Sequence, residues 1–254
     1  MPKEGRTEEV AVLTKAMAVV SLLAAEGPCT VVRICDVTGI TKPSAYRILK
    51  TLELGGYVTR NEEQREYSIG PVLYGITRSL RSSNDLLQLA RPVMQALNEQ
   101  LGETVNIGVI NNGRVVYLDT IESAQRLRST VQIAFRDHVH CTALGKSILA
   151  RMPNDEARRL LESVDRPVLT PNTITSVDDL MDQIENFRNQ GFAVDDEENE
   201  VGSRCVASAI VDPAGVPVAA ISVTVPTPRM SAKVLASTGK RLSKEAAELG
   251  RLLA

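Results

Sequence analysis

The sequence contains no tryptophan, and aromatic residues make up only 3% of it. Aromatic packing therefore cannot carry the interior. With 43% hydrophobic residues, the cores must rest on Leu, Val, Ile and Ala. The four cysteines, Cys29, Cys35, Cys141 and Cys205, have neither CxxC nor zinc-finger spacing, so neither a disulfide framework nor a structural zinc site is indicated. No run approaches the roughly 20 apolar residues of a membrane helix. The first ten residues, "MPKEGRTEEV", lack the apolar stretch of a signal peptide, and a cytoplasmic protein without membrane contact is expected. Internal repeats and low-complexity tracts are also missing. Charge of one sign is not dominant either: the formal net charge is −2, with +2 in residues 1–83 and −4 beyond them. Nucleic-acid binding would thus have to rest on local placement of charge rather than on overall basicity.

The 254 residues have room for two modest domains. In residues 10–26 the apolar positions Val12, Leu13, Ala16, Val19, Val20 and Leu23 repeat at helical spacing, and Gly27-Pro28 stops that pattern. A short second helix follows, with Thr30 as N-cap, Val31, Ile34 and Cys35 facing inward, and Gly39 as terminator. Thr41 is expected to cap a third helix that has Pro43 in its first turn. In that helix Ala45, Ile48, Leu49 and Leu52 form one stripe, with Pro43, Arg47 and Lys50 opposite and Ser44, Tyr46 and Thr51 on the flanks. Gly55-Gly56 closes it, and "YVTRNEEQREYSI" reads as strands Tyr57–Arg60 and Glu66–Ile69 around a polar turn. The order is that of a winged helix-turn-helix over residues 8–70, followed by a linker helix over 71–84.

Residues 85–254 read as a second, mixed domain. A helix over 85–101 presents Leu86, Leu89, Ala90, Val93, Leu97 and Leu101 on one side. "TVNIGVI" and "VVYLDTI" flank Asn112-Gly113, a strong hairpin signal. "RSTVQIAF" is expected to be a further strand, with helices at about 143–151, 154–163 and 176–190. Strands "RCVASAIVD" and "VPVAAISVTV" surround the turn Pro213–Gly215, and a long amphipathic helix covers about 231–253. Hairpins mixed with helices make the fold class α+β.

Three segments carry a resemblance. "GITKPSAYRILKTLELGGYV" resembles the recognition helix and start of the wing in IclR-type bacterial transcriptional regulators. "HCTALGKSILA" and "GFAVDDEENEVGSRCVASAIVDPAGVPVAAISVTVP" resemble two signatures of that family's second domain. The resemblance spans nearly the whole chain. It implies a winged-helix DNA-binding domain, a linker helix and a GAF/PAS-like effector-binding domain with an antiparallel sheet. It further implies homodimers or dimers of dimers on a pseudo-palindromic double-stranded operator, and effectors among small organic acids or aromatic catabolites. No cofactor is implied.

The recognition chemistry can be assigned to residues. Arg47 is the leading base reader, because a guanidinium can contact O6 and N7 of guanine together. Ser44 and Tyr46 suit base or backbone, Lys42 and Lys50 suit phosphates, and Arg60 and Arg65 flank the wing. Glu53, Glu62, Glu63 and Glu66 weaken the local field, so non-specific affinity is expected to be modest and salt-dependent. The competing reading is a solvated surface on a structural three-helix unit.

"DHVHCTALGKS" holds both histidines of the chain and admits several readings. A phosphate loop lacks its Gly-x-x-x-x-Gly-Lys-Ser/Thr spacing. His138, His140 and Cys141, with Asp137, form at most an incomplete metal set. A nucleophile at Cys141 or Cys205 has no partner that the sequence pairs with it. The favoured reading is a ligand pocket at a helix start whose small residues and backbone amides suit a carboxylate. By resemblance, Ala143 and Leu144 line that pocket, and Asp195, Cys205, Ser222 and Thr224 fall where the family places polar ligand contacts. Ser222 and Thr224, two apart on a strand, share a face, and Asp195 is assigned to a loop. Ser203 stands where some relatives have a bulkier aliphatic residue, so a more polar or roomier pocket is expected, with Phe135 adding an apolar wall. Lys146 is expected to pack or cap rather than meet the ligand. The alternatives are an enzyme, or a protein-interaction module, with a small-molecule-binding domain.

Overall fold

The computed structural model describes residues 10–61, 63–74, 85–130, 133 and 135–253. The chain divides into two compact units, Met1–Ser83 and Asn84–Ala254, each taken by itself below.

In the first unit, helix α1 spans Ala11–Glu26 and stops at Gly27, whose φ of 81° continues no right-handed helix. Helix α2, Val31–Thr38, is capped by Thr30, whose hydroxyl accepts from the Arg33 amide at 3.3 Å. Helix α3, Lys42–Leu54, begins after Thr41, but Thr41 makes no side-chain cap bond. Pro43 in the first turn, where no amide donor is needed, sets that start instead. The expected hairpin forms as β2, Val58–Asn61, and β3, Glu66–Ile69. A third strand that the sequence reading lacks, β1 (Cys29–Thr30), pairs with β3 in the order β1-β3-β2. Two residues are too few to show a periodicity. Leu23, Ile34 and Leu49 lie at the centre of this core, each contributing about 1.5–3 kcal/mol through burial. Residues 71–74 are helical. The rest of the expected linker helix, 75–84, lies outside the described residues, as do 8, 9 and Glu62.

The second unit is built on a six-stranded antiparallel sheet in the order β6-β5-β4-β9-β8-β7. Its strands are β4 (Thr104–Asn111), β5 (Arg114–Ile121), β6 (Arg136–His138), β7 (Ala193–Asp196), β8 (Ser203–Val211) and β9 (Pro217–Pro226). The β4–β5 turn places Asn112 at φ 50° and Gly113 at φ 71°, as a two-residue hairpin with the right-handed twist of its strands requires. Helices α4 (Asp85–Leu101) and α8 (Ala232–Arg251) cover one face, burying Ala90, Met94, Leu97, Leu242 and Ala246 against Val105, Ile107, Ile221 and Val223. The other face carries small residues, Ala207, Ala209 and Ala220, and on it sit α5 (Ala143–Leu149), α6 (Asn154–Ser163) and α7 (Val177–Gln190). Alternation along each strand thus feeds two cores, one on each face.

Two expectations are corrected here. "RSTVQIAF" is not a strand where it is described: residues 128–130, 133 and 135 have no strand pairing, Val131, Gln132 and Ala134 lie outside the described residues, and the edge strand begins at Arg136. Asp195 is not in a loop but on β7, opposite Cys205. Among the described residues, no helix is long and apolar enough to cross a membrane.

Candidate functional site

The first unit presents α3 with Ala45, Ile48 and Leu49 buried and Lys42, Pro43, Tyr46, Arg47 and Lys50 exposed; Ser44 is half-buried. Inward apolar spacing leaves the polar side chains on the free face, which is the form a groove-reading helix needs. The Arg47 side chain has no hydrogen-bond or ion-pair partner among the described residues, whereas Lys50 meets Glu53 at 3.4 Å. By contrast, Arg33 on α2 is paired with Glu26 through two bonds, at 2.9 and 2.7 Å. In the wing, Asn61 Oδ1 accepts from the amides of Glu63 and Gln64, at 3.0 and 3.2 Å, so the turn is ordered by its own side chain. Arg60 lies over the Tyr67 ring at 5.8 Å, and Arg65 sits exposed in the turn at φ 54°.

The second unit holds a cleft of about 700 Å³ between the start of α5 and one end of the sheet. Register builds it. Asp195 on β7 faces Cys205 on β8, Cys205 faces Thr224 on β9, and Thr224 faces Thr104 on β4. Hydrogen bonds follow this row: the Cys205 thiol and Thr224 hydroxyl are 3.2 Å apart, and Asn106 Nδ2 donates to the Thr224 hydroxyl at 3.3 Å. Ala143 and Leu144 form the helix side of the cleft, and Tyr117, Phe135, Arg136, Asp137 and His138 come from β5, β6 and the approach to β6. Ser203 lines it as well. The cleft therefore brings together five of the six predicted effector residues.

Ser222 is the exception. It is fully buried and stands outside the lining, with its hydroxyl turned toward the Cys205 thiol. It does share a strand and a spacing of two with Thr224, but its cross-strand neighbour Ala207 belongs to the core on which α5 packs. Helix α5 roofs that stretch of sheet and keeps Ser222 from the cleft.

The loop-helix motif has a local explanation. Thr142 caps α5, accepting from the Gly145 amide at 3.2 Å while donating to the His138 carbonyl at 2.8 Å. A Cβ at Gly145 would fall 2.4 Å from the Val139 carbonyl oxygen, so only glycine lets the helix lie this close to the preceding loop. Lys146 points inward and is fully buried, paired with Glu198, 3.4 Å from Gln183 Oε1 and over the Phe187 ring at 5.3 Å. Glu198 in turn donates its amide to Asp195 Oδ1 at 2.8 Å, and Asn199 does so at 3.3 Å. The buried pair thus fixes the turn that carries Asp195 and Asn199 into the cleft.

Electrostatics separates the competing readings of this segment. Burial pushes the Cys141 thiol well above its ordinary range, and burial together with the Asp195 charge pushes Cys205 up to about 12. Both stay protonated at neutral pH, the wrong form for a nucleophile. Burial also holds His140 down to about 4, and its Nε2–H donates to the Pro167 carbonyl at 3.1 Å. No group of three or more His, Cys, Asp or Glu side chains is placed to hold a metal among the described residues. Burial raises Asp195 to about 7, against the opposing pull of Lys146 and of the two amides.

Sequence reasoning missed Tyr117, Arg136 and Asn199 as cleft residues. Tyr117 donates to Asp137 at 3.4 Å and Asn199 Nδ2 to the same carboxylate at 3.1 Å, across 20 and 62 residues of chain. No short-range pattern connects them. The clue that was present is the cluster "RDHVH", of which Arg136, Asp137 and His138 form part of the cleft wall.

Comparison with known proteins places both units. Residues 12–62 match the IclR helix-turn-helix domain, and residues 78–251 match the bacterial transcriptional regulator IclR C-terminal domain. The HTH-type transcriptional regulator KdgR of Escherichia coli is 31% identical over 224 residues, which cover 88% of this chain and 85% of that protein. XynR of the same organism is 32% identical over 227 residues, covering 88% and 90%. The crystal structure of the Thermotoga maritima IclR matches with a TM-score of 0.78 at 28% identity, covering 96% of this chain and 99% of that one. The chain belongs to the IclR family of transcriptional regulators, with a DNA-binding helix-turn-helix domain followed by an effector-binding domain.

Proposed function

We propose that the protein controls a catabolic operon as a homodimer or a dimer of dimers, with α3 of two subunits in successive major grooves of a pseudo-palindromic operator. Arg47 reads a guanine, Ser44 and Tyr46 contact base or backbone, Lys42 and Lys50 meet phosphates, and Arg60 and Arg65 hold the wing to the backbone. The exposed, unpaired guanidinium of Arg47 on the free face of α3 is the observation that supports this reading. Selection of bound genomic fragments followed by footprinting tests it; absence of a protected site would sink it. On the operator so found, Arg47→Ala is expected to cost about 1–3 kcal/mol and to relax preference at one base position. Uniform weakening at all positions would instead make Arg47 a phosphate contact.

The effector is a small organic acid or a compact aromatic acid. A cleft of about 700 Å³ suits a ligand of that size, with Arg136 at its wall for the carboxylate. Leu144, Ala143 and Phe135 supply apolar surface, and Asp195, Cys205 and Thr224 supply polar contacts. A screen of organic acids by thermal shift should find a stabilising ligand. That ligand should bind Thr224→Val about tenfold more weakly, the cost of one lost hydrogen bond, while operator affinity without ligand stays unchanged. The ligand can move DNA affinity only through its preference for one packing of the two subunits.

A further inference from the structure

At the other end of α5 lies a second cavity, of about 540 Å³, that the effector reading does not use. Three arginines converge on it: Arg151 just after α5, Arg188 on α7 and Arg251 at the end of α8. The hydroxyl residues Ser208 on β8 and Ser243 on α8 complete its polar lining, and no Asp or Glu lines it. This concentration of cations runs against its surroundings, since the chain beyond residue 83 carries a net −4.

The three arginines are not equivalent. Arg188 is fixed: its Nε donates to the Ala150 carbonyl at 3.0 Å, its Nη2 to the Met152 carbonyl at 3.2 Å, and its Nη1 to Glu185 at 2.5 Å. A guanidinium has five N–H groups, so two remain free on a side chain already held in place. Arg251 donates its Nε to the Ala247 carbonyl at 3.3 Å and meets Glu248 at 4.0 Å, so both of its terminal nitrogens keep donors to spare. The Arg151 guanidinium has no ion-pair or hydrogen-bond partner among the described residues. Beside it, the position that a Cβ of Gly191 would take is 2.8 Å from Ser243 Oγ and 4.0 Å from Arg151 Nη2. The absent side chain therefore leaves a hydroxyl and an uncompensated guanidinium open around one point.

We propose that this cavity is a second ligand site, for a small molecule bearing a phosphate group. Planar guanidinium forks match phosphate oxygens in pairs, and a prepositioned Arg188 with two exposed arginines and the Ser243 hydroxyl is the donor set that such an anion takes, while the Ser208 hydroxyl donates to the Gly191 carbonyl at 3.0 Å. Its volume admits a phosphorylated metabolite and not a folded partner. The site shares α5 and β8 with the effector cleft: Ala143 and Leu144 face one and Ala150 the other, while Cys205 lines one and Ser208 the other.

Titration calorimetry of the full chain with pyrophosphate, against sodium chloride at matched ionic strength, tests the assignment. The wild type should show saturable binding. The double variant R151Q/R251Q, which spares the structural Arg188, should bind at least about tenfold more weakly, a loss of about 1.4 kcal/mol, with its thermal transition unchanged. R158Q, which removes a half-buried charge on α6 that is paired with Asp178 and lies outside the cavity, should bind as the wild type does. Absence of saturable binding overturns the proposal, as does unchanged affinity in R151Q/R251Q or equal weakening in R158Q.

Discussion

Lys146→Met is expected to destabilise the second domain by about 3–5 kcal/mol, because it leaves a buried carboxylate without its partner. Lys146 has no solvent exposure, and Glu198 is 5% exposed. Methionine fills the space of the lysine stem but cannot neutralise Glu198, whose second oxygen already lacks a partner. Burial raises the pKa of Glu198 even with Lys146 beside it, so removing the cation raises it further and makes the damage smaller at low pH. The double variant Lys146→Met/Glu198→Gln should recover most of the loss, since it removes both charges together. Urea unfolding of the full chain, followed by circular dichroism, reads both numbers. A loss below about 1 kcal/mol for the single variant would mean that water reaches Glu198 and that the pair does not act as a buried one.

The same pair explains why part of the cleft was not legible in the sequence. The Gly-Lys dipeptide is a local feature, and lysine is mostly a surface residue. Its partner stands 52 residues away, and only the packing of α5 against the β7 end of the sheet brings them together. Asp195 was misplaced for a related reason. "VDDEENE" has the composition of a solvated turn, yet its first aspartate ends up opposite Cys205 on a short strand, buried by the Glu198 turn folded over it. Ser222 shows the limit of alternation. Two-residue spacing fixes the face of the sheet, but not whether that stretch of the face is open or roofed by a helix.

The DNA-binding half was far more legible because its determinants are local. The helix stop at Gly27, the Thr30 cap, the glycine at 39 and the Ala45–Ile48–Leu49 stripe all act within a few residues. The sheet of the second domain was legible in its hairpins, where Asn112-Gly113 specifies the turn. Its order was not, since β4 lies between β5 and β9, a strand more than 100 residues later.

Asp195 should make the domain's stability fall as pH rises. An unfolded aspartate ionises near 3.8, whereas burial raises Asp195 in the folded protein to about 7. Between these values the folded chain holds a proton that the unfolded chain has released. The stabilisation is therefore complete below about pH 4, declines through pH 7 and is gone above it. The gap between the two values corresponds to about 4 kcal/mol, of which about 2–3 fall between pH 5 and pH 8. Asp195→Asn keeps an Oδ1 that can accept from the amides of Glu198 and Asn199, but it cannot ionise. Urea midpoints at pH 5 and pH 8 should therefore separate wild type from Asp195→Asn at the higher pH and bring them together at the lower. Equal slopes in the two proteins would mean that Asp195 is ionised throughout and that Lys146 and the two amides outweigh its burial. A carboxylate effector in the cleft adds a further negative charge beside Asp195, so its binding should take up a proton, and its affinity for the wild type should weaken as pH passes 7. In Asp195→Asn that pH dependence should flatten, which separates a proton bound with the effector from a general loss of folding.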